Sequence, residues 1–370
     1  MTDPGQQTVN TTAKQFPCSS CGARLEFSPG AATLKCPYCS QQNQIPQSAN
    51  DIQELDFYEY FARATEQGDA QEVQTVKCQS CNATSTMQPN LSMSHCPFCG
   101  AQLQAHAKTA RVIKPGAILP FRVPKDKALH LFREWLGSLW FAPGGLKEYA
   151  ARDGGVKGMY IPYWTFDAQS TTWYDGQRGE DYYVTEQYNE TDDDGKTVSR
   201  SRQIRHTRWY SASGTVWKQF DDLLILAGGS LPSDIINELE PWNLKKLVPY
   251  QDEYMSGFQS EVYQIDLGAG FERGKTGMDQ AIREAIKQDI GGDQQQITTV
   301  RTQFDNITFK HILLPVWISA YKYRNKSYRF LINGDTGEVQ GERPWSVAKI
   351  ALTVVGVIIL LILIALVLKA

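Results

Sequence analysis

Apolar side chains are distributed unevenly along the chain, and the longest apolar run lies near its C-terminal end. Residues 350–368 carry no charged side chain and consist almost entirely of Ala, Val, Leu and Ile. A helix over these residues rises about 28 Å, close to the hydrocarbon thickness of a bilayer. Just before it stand an aromatic and basic collar, Arg343, Trp345 and Lys349, of the kind found at membrane interfaces. The pattern predicts a single transmembrane helix over residues 347–368.

The middle of the chain, residues 111–344, alternates between two periodicities. Apolar residues spaced by three and four predict helices over residues 125–141 and 278–290. Alternation of apolar and polar residues predicts strands over residues 160–174, 182–188, 197–209, 261–267, 296–304, 314–323, 327–332 and 338–340. We therefore expect a β-rich α+β domain here, with a long hairpin that turns near Gly195.

A weak internal similarity suggests a duplication inside this domain. The segment Ile161-Pro-Tyr-Trp164 resembles Leu314-Pro-Val-Trp317. The same offset carries the helix that begins near Lys125 onto the helix expected to begin near Met278. The domain is therefore predicted to contain two strand-helix-strand halves, with the long hairpin inserted in the first.

The first 110 residues contain all eight cysteines, arranged as two copies of one pattern. Each copy has the form Cys-x2-Cys-x14-Cys-x2-Cys and ends in Cys-Pro-aromatic-Cys. The cysteines are Cys18, Cys21, Cys36, Cys39, Cys78, Cys81, Cys96 and Cys99. We predict two tandem small β zinc ribbons over residues 15–46 and 75–106. A disordered polar arm over residues 1–14 precedes them, and a linking helix over residues 50–70 joins them.

The cysteine spacing determines the expected chemistry. Zinc favours four thiolate ligands in a tetrahedron, and a two-residue spacer folds both sulfurs of a pair towards one point. The eight cysteines are therefore predicted to bind two structural Zn²⁺ ions, with no open position for catalysis. Cys36 and Cys39 also resemble a glutaredoxin dithiol, but that chemistry needs a single cysteine pair at the start of a helix. Residues that tolerate a left-handed backbone follow the four pairs: Gly22, Ser40, Asn82 and Gly100.

Composition and charge limit the classes of partner. The chain is 42% hydrophobic and 11% aromatic, which excludes a disordered protein, and one apolar segment is too few for a polytopic transporter. The net charge is -3, and residues 1–110 hold six basic against nine acidic side chains. A phosphate-binding surface should be basic, so the charge disfavours nucleic acid and favours protein partners.

Residues 269–276 satisfy a relaxed phosphate-loop pattern, with Gly274, Lys275 and Thr276 at its end. Ala269 stands where the stricter pattern has Gly, and no apolar strand ending in paired acids follows, so nucleotide hydrolysis is disfavoured. The basic run of residues 200–208 and the acidic run of residues 180–194 are expected to pair across the hairpin. Ordinary structural roles are expected for the remaining lone histidines, His106, His130 and His311.

Several short motifs, spread over nearly the whole chain, carry a family resemblance. They are Phe16-Pro-Cys18, Leu55-Asp-Phe57, Trp140-Phe-Ala-Pro143, Tyr163-Trp-Thr-Phe-Asp167, Arg208-Trp209, Phe220-Asp-Asp222, Phe309-Lys-His311 and Gly341-Glu-Arg-Pro-Trp345. Through them the chain resembles a bacterial family of tail-anchored, double zinc-ribbon membrane proteins, often labelled primosomal protein N' (replication factor Y) or superfamily II helicase-like. A helicase needs two nucleotide-binding lobes and a true phosphate loop, which this sequence lacks. The chain is also similar to phage-shock-associated membrane zinc-ribbon proteins, which implies phage-shock-protein-A-like or SPFH-like membrane proteins as partners.

These features predict a non-enzymatic adaptor or scaffold that binds protein partners at the inner (cytoplasmic) membrane. The resemblance implies a role in envelope stress. Paired thiolates need a reducing compartment, and no export signal precedes them, so the N-terminal bulk is expected in the cytoplasm with one C-terminal pass through the lipid bilayer. The alternative is a nucleic-acid-binding, replication-associated zinc-ribbon protein at the membrane, without helicase activity.

Overall fold

The computed structural model of the protein describes residues 16–31, 33–46, 51–63, 70–86, 95–103, 108–143, 155–191, 195–323 and 326–369. The predicted polar arm over residues 1–14 lies outside these ranges, and so do His106 and residues 192–194 of the expected hairpin turn.

The described residues are rich in strands and contain few helices. The strands are β1 (Glu26–Phe27), β2 (Thr33–Lys35), β3 (Gln42–Gln44), β4 (Leu55–Asp56), β5 (Ala70–Lys77), β6 (Thr84–Thr86), β7 (Lys108–Ile113), β8 (Ala117–Ile118), β9 (Lys157–Thr191), β10 (Thr197–Leu226), β11 (Val248–Pro249), β12 (Gln259–Ser260), β13 (Gln294–Tyr323), β14 (Lys326–Asn333) and β15 (Val339–Gly341). The helices are α1 (Phe57–Arg63), α2 (Lys125–Ser138), α3 (Ser233–Asn237), α4 (Leu267–Ile290) and α5 (Val347–Lys369).

The largest sheet is built on three long antiparallel strands in the order β10-β9-β13, and β14 and β15 continue it beyond β13. Strand β9 joins two predicted strands, residues 160–174 and 182–188, and β13 joins the two predicted at 296–304 and 314–323. The predicted breaks were therefore wrong. A glycine inside a strand resembles a turn in the sequence. Gly176 nevertheless lies within β9, and its missing Cβ leaves room for the Gln296 carbonyl oxygen of β13.

Two helices each follow a short strand and lead into a long one. Strand β8 precedes α2 and β9, and strand β12 precedes α4 and β13. Helix α4 begins at Leu267, where the Asp266 carboxylate accepts a hydrogen bond from the Ala269 backbone N–H at 2.8 Å. The strand predicted over residues 261–267 was therefore wrong. Helix α4 begins well before Met278, so the starts of α2 and α4 are not separated by the same number of residues as the two similar strand segments. The internal duplication is therefore not confirmed.

Beyond the start of β13, strands β9 and β10 continue as a two-stranded arm. The arm consists of residues 180–191 and 197–208, paired in one antiparallel register. Opposite charges face each other across it, such as Arg202 with Glu186 at 2.7 Å and Arg200 with Glu190 at 3.0 Å. The predicted pairing of the basic and acidic runs is confirmed for the described residues of the acidic run, 180–191. Exposed pairs of this kind contribute about 0–1 kcal/mol each, so the backbone ladder is the main support of the arm.

Two three-stranded antiparallel sheets carry the cysteines. The sheet β1-β2-β3 lies within residues 16–46, here called ribbon 1, and the sheet β6-β5-β7 lies within residues 70–113, here called ribbon 2. Between them, α1 begins at Phe57, later than the linking helix predicted over residues 50–70, of which residues 64–69 lie outside the described ranges. The Asp56 side chain caps it by accepting a hydrogen bond from the Glu59 N–H at 2.7 Å. Strand β4 pairs with β13, so this connection belongs to the main sheet.

The ribbons pack on opposite faces of the main sheet. Phe27 of ribbon 1 lies in one core cluster with Tyr160 of β9, whereas Phe98 of ribbon 2 lies in another with Ile161. Successive side chains of a strand point to opposite faces, so neighbours on β9 belong to different cores. A third core cluster packs α4 against the residues of β9 that come after Ile161, such as Phe166.

Helix α5 coincides with the segment predicted to cross a membrane. Residues 347–368 are long and apolar enough for a membrane span, and none of this helix is buried against the rest of the chain. A helix that is apolar on all sides and leaves its apolar run unburied is unfavourable in water. Its length and composition therefore support, by themselves weakly, an anchor in a membrane.

Candidate metal centres

Each cysteine pair closes the same backbone turn. The N–H of Cys18 donates to the Ala23 carbonyl at 2.7 Å, and the Gly22 N–H donates back to the Cys18 carbonyl at 2.9 Å. The same two hydrogen bonds recur at the other three pairs, which begin at Cys36, Cys78 and Cys96. The residue that follows each pair has a positive φ, between 60° and 72°, as predicted: Gly22, Ser40, Asn82 and Gly100. These turns direct both sulfurs of a pair to one side of the chain.

The eight sulfurs form two groups of four, one in each ribbon. In ribbon 1 the Cys18 Sγ lies 3.6 Å from the Cys39 Sγ, and in ribbon 2 the Cys78 Sγ lies 3.7 Å from the Cys99 Sγ. A disulfide would bring the sulfurs to about 2.05 Å. Zinc–sulfur bonds of about 2.3 Å place tetrahedral ligands roughly 3.8 Å apart. The dimensions and the soft donor set therefore fit a four-coordinate metal ion, and all eight predicted ligands are brought together.

The surroundings of the thiols favour their ionised form at selected positions. Backbone N–H groups, first that of Cys39, lower the pKa of Cys36 to about 6. In ribbon 2 a hydrogen bond from Cys96 lowers the pKa of Cys81 to about 5, and the same contact raises the pKa of Cys96. Each group therefore has one readily ionised thiol beside three others. A divalent cation that displaces the thiol protons would stabilise all four as thiolates.

The two four-cysteine sites, here called the metal ends of the ribbons, differ in exposure at equivalent positions. Tyr38, between the last two ligands of ribbon 1, is 83% exposed, whereas its equivalent Phe98 in ribbon 2 is fully buried. Cys21 and Cys39 are also exposed, while the corresponding Cys81 and Cys99 are half-buried. At these positions the metal end of ribbon 2 is covered by the main sheet, whereas that of ribbon 1 faces solvent. The other ligands are buried in both ribbons: Cys18, Cys36, Cys78 and Cys96.

The suspected phosphate loop is not a loop. Residues 269–276 lie within α4, and the Lys275 ammonium pairs with Glu272 at 2.7 Å. Gly270 faces the sheet, where a Cβ would come 2.7 Å from the Trp164 indole. The glycine therefore permits close packing of helix on sheet, and its backbone N–H donates to the Asp266 carbonyl within the chain.

The two described lone histidines differ in their surroundings. His130 is exposed on α2 and lies 3.3 Å from Glu134, one turn further along. His311 is buried beside the Trp164 ring, and its Nδ1 lies 3.0 Å from the Ile113 carbonyl oxygen. Burial lowers the pKa of His311 to about 4, so it is neutral at physiological pH. Its contacts are those of a core histidine.

Sequence reasoning missed a partly buried ion cluster. Lys310 is only 8% exposed, and its ammonium lies 2.7 Å from Asp222 and 2.8 Å from Glu54. Burial raises the pKa of the neighbouring Asp167 to about 6. The cluster joins the segment before α1 to strands β9, β10 and β13. A signal was available, because Asp167, Asp222 and Lys310 each belong to a motif that carries the family resemblance.

A second group that the sequence did not indicate is Glu261, which is 2% exposed. Its carboxylate accepts hydrogen bonds from the backbone N–H groups of Gly229 and Ser230, both at 2.9 Å, and from the Ser230 hydroxyl. Burial raises its pKa. The next residue, Val262, donates its N–H to Thr84 of ribbon 2 at 2.9 Å. Glu261 thus organises the loop after β10 at the junction with ribbon 2.

The fold and these sites define a chain with two four-cysteine clusters that could hold metal ions, one extended β-sheet and one apolar C-terminal helix. The chain is similar to the uncharacterized protein YdjG of Bacillus subtilis (strain 168), with 25% identity over 337 residues, which cover 91% of this chain and 92% of YdjG. No protein-family model matches the chain, and no solved structure matches it.

Proposed function

We propose that this protein is a membrane-anchored zinc-ribbon adaptor that holds protein partners at the cytoplasmic face of the inner membrane. In this proposal both four-cysteine clusters bind Zn²⁺ as structural sites, and α5 crosses the bilayer once with the rest of the described chain in the cytoplasm. The reducing cytoplasm keeps the thiols available as ligands.

The unequal exposure of the two ribbons is the observation that carries the proposal. The aromatic residue at the outer end of ribbon 2, Phe98, is covered by the chain's own sheet, but Tyr38 in ribbon 1 is 83% exposed. A rigid metal-bound turn that presents an aromatic ring suits a protein contact, because little conformational entropy is lost on binding. Tyrosine is also one of the residue types enriched at interfaces.

An adaptor without enzymatic activity also fits the metal chemistry. Four thiolates fill a tetrahedral zinc ion, which leaves no position where a substrate or an activated water could bind. The family resemblance adds phage-shock-protein-A-like or SPFH-like membrane proteins as candidate partners, and it suggests a role in envelope stress.

A site-specific photo-crosslinker in place of Tyr38 tests this function in intact membranes. We expect the full chain to form a reproducible protein adduct, and we expect Cys36→Ser, which removes one ligand of ribbon 1, to abolish it. A matched crosslinker in place of Tyr183, which is 63% exposed on the arm, should not give the same adduct. Absence of any reproducible adduct at Tyr38 would contradict the adaptor function.

The nucleic-acid alternative has one observation in its favour. Trp173 and Trp217 are 43% and 74% exposed, and Arg301 of β13 pairs with Trp173. Trp173, Asp175, Thr215 and Arg301 line an open groove with a volume of about 590 Å³. Trp217 lies two residues beyond Thr215 on β10 and therefore faces the same side of the sheet. Exposed aromatic rings beside an arginine can stack bases of a single strand. Salt-dependent binding of single-stranded DNA or RNA by the full chain, lost in Trp217→Ala, would support this alternative.

A further inference from the structure

The turn that follows α2 is fastened to the first turn of α5. The Lys349 ammonium donates to the carbonyl oxygens of Trp140 at 3.1 Å and Ala142 at 2.8 Å, and the Ser346 N–H donates to the Phe141 carbonyl at 2.8 Å. Residues 139–142, here called the juxtamembrane turn, are also held by the core, because Leu139 and Ala142 are 7% and 6% exposed.

These contacts fix the depth of the turn relative to a membrane that α5 crosses. A lysine ammonium is costly to bury in hydrocarbon, so Lys349 should remain at the headgroup level where the apolar run begins. Carbonyl groups within hydrogen-bond distance of that ammonium lie at nearly the same level. The juxtamembrane turn therefore belongs at the membrane surface rather than in bulk cytoplasm.

The side chains around this point have the chemistry of the interface. Trp140 is 77% exposed although it stands on a turn that the core holds, and Trp345 is 55% exposed. Phe141 lies beside Trp345, with ring centroids 6.4 Å apart, and the Arg343 guanidinium stacks 4.4 Å from the Trp345 ring centroid. Indole rings prefer the headgroup region, where the ring is partly desolvated and its N–H is hydrogen-bonded.

We propose that the juxtamembrane turn inserts Trp140 into the headgroup region of the bilayer that α5 spans, so that the folded body contacts the membrane at two points. Because the turn is held by the core and is hydrogen-bonded to the first turn of α5, its contact with the headgroups restricts the tilt of the body relative to α5. The inference rests on the membrane anchoring proposed above.

Tryptophan quenching in vesicles tests this placement. The full chain is reconstituted into phosphatidylcholine vesicles whose acyl chains are brominated either close to the headgroup or close to the chain end. Because Trp140 and Trp345 are the exposed tryptophans beside α5, Trp140→Phe should remove roughly half of the quenching by the shallow bromines. The matched control Trp217→Phe, which changes a similarly exposed tryptophan on β10, should leave it unchanged.

The outcomes separate the two proposals. A chain that fails to float with the vesicles overturns the anchoring, and the inference falls with it. A chain that floats while Trp140→Phe leaves the shallow quenching unchanged overturns the inference alone. Stronger quenching of Trp140 by the deep bromines would also overturn it, because that result places the ring in the hydrocarbon.

Discussion

Ribbon 1 and ribbon 2 have the same ligand spacing and the same turns around their cysteines, but they meet the rest of the protein differently. In ribbon 2 the outer aromatic residue, Phe98, is fully buried against the main sheet, and in ribbon 1 its equivalent Tyr38 is 83% exposed. Both ribbons are nevertheless joined to the body at their strands. The Phe27 N–H donates to the Ser256 carbonyl at 2.9 Å, and the Thr86 hydroxyl contacts Ser260.

The same cysteine motif thus occurs in two different environments in this protein. Local turn geometry arranges the four sulfurs, and it does so in the same way in both ribbons. The surface against which the finished ribbon packs decides whether its metal also supports the main core. Each ribbon contributes two buried cysteines to a core cluster, but ribbon 2 adds the buried Phe98, whereas the equivalent Tyr38 of ribbon 1 remains exposed to solvent.

Loss of one metal ligand should have the largest effect, and it should be larger in ribbon 2. Cys36→Ser and Cys96→Ser should each reduce the bound metal from two ions to one per chain, given the two four-cysteine groups. Metal binding contributes about 10–16 kcal/mol in small zinc modules, so either change should unfold its own metal end. Both ligands lie in core clusters shared with the main sheet, but Cys96→Ser should also displace the fully buried Phe98 and should therefore lower the free energy of unfolding of the sheet by more.

Elemental analysis of the detergent-solubilised chain measures the bound metal. Urea unfolding, followed by tryptophan fluorescence, measures the free energy of unfolding. An equal loss of unfolding free energy in both variants would show that the ribbons are coupled to the sheet to the same degree.

Removing the outer aromatic side chain tests the same difference without touching a ligand. Phe98→Ala should lower the free energy of unfolding by about 3–5 kcal/mol, because it leaves a cavity between ribbon 2 and the sheet. Tyr38→Ala, at the equivalent position of ribbon 1, should change it by no more than about 0.5 kcal/mol. Urea midpoints of the two variants against the unmodified chain give the result. A large effect of Tyr38→Ala would mean that the chain itself covers the ring in solution.

Release of the metal should occur in two kinetic phases. Cys21 and Cys39 are exposed, so a chelator can reach ribbon 1 without opening the core, but ribbon 2 must first separate from the sheet. A colorimetric chelator in excess should therefore take up one equivalent quickly and one slowly. Cys36→Ser should remove the fast phase only. A fast phase that survives this substitution would assign the labile ion to ribbon 2.

The smallest difference between the two ribbons is expected where their contacts with the body are alike. The Ser256 hydroxyl donates to the Leu25 carbonyl of ribbon 1 at 2.6 Å, and the Ser260 hydroxyl lies 3.1 Å from the Thr86 hydroxyl of ribbon 2. Ser256→Ala and Ser260→Ala should each cost about 1 kcal/mol of unfolding free energy, which is typical for one buried hydrogen bond. A clear difference between the two variants would extend the asymmetry from the metal ends to the strands.

The parts of the fold that could be predicted are those whose cause is local. The positive φ at Ser40 and Asn82 follows from the tight turn after each cysteine pair, and the C-terminal helix follows from a continuous apolar run. The long strands could not be predicted. Gly176 resembles a turn residue until β13 is placed against it, and Gly270 resembles part of a phosphate loop until Trp164 is placed beside α4.

Local sequence was enough to identify the eight side chains that gather into two groups of four, because ligand type and a spacing of two residues act within a single turn of backbone. It also determined where an apolar helix forms, because composition alone governs a segment with no polar face. Three other features follow from the packing of the whole chain: Phe98 is buried while Tyr38 is exposed, Lys310 contacts acids from separate segments, and Lys349 holds the turn at Trp140. Each of these depends on contacts between residues far apart in the chain, and such contacts leave no periodic trace in the order of the residues.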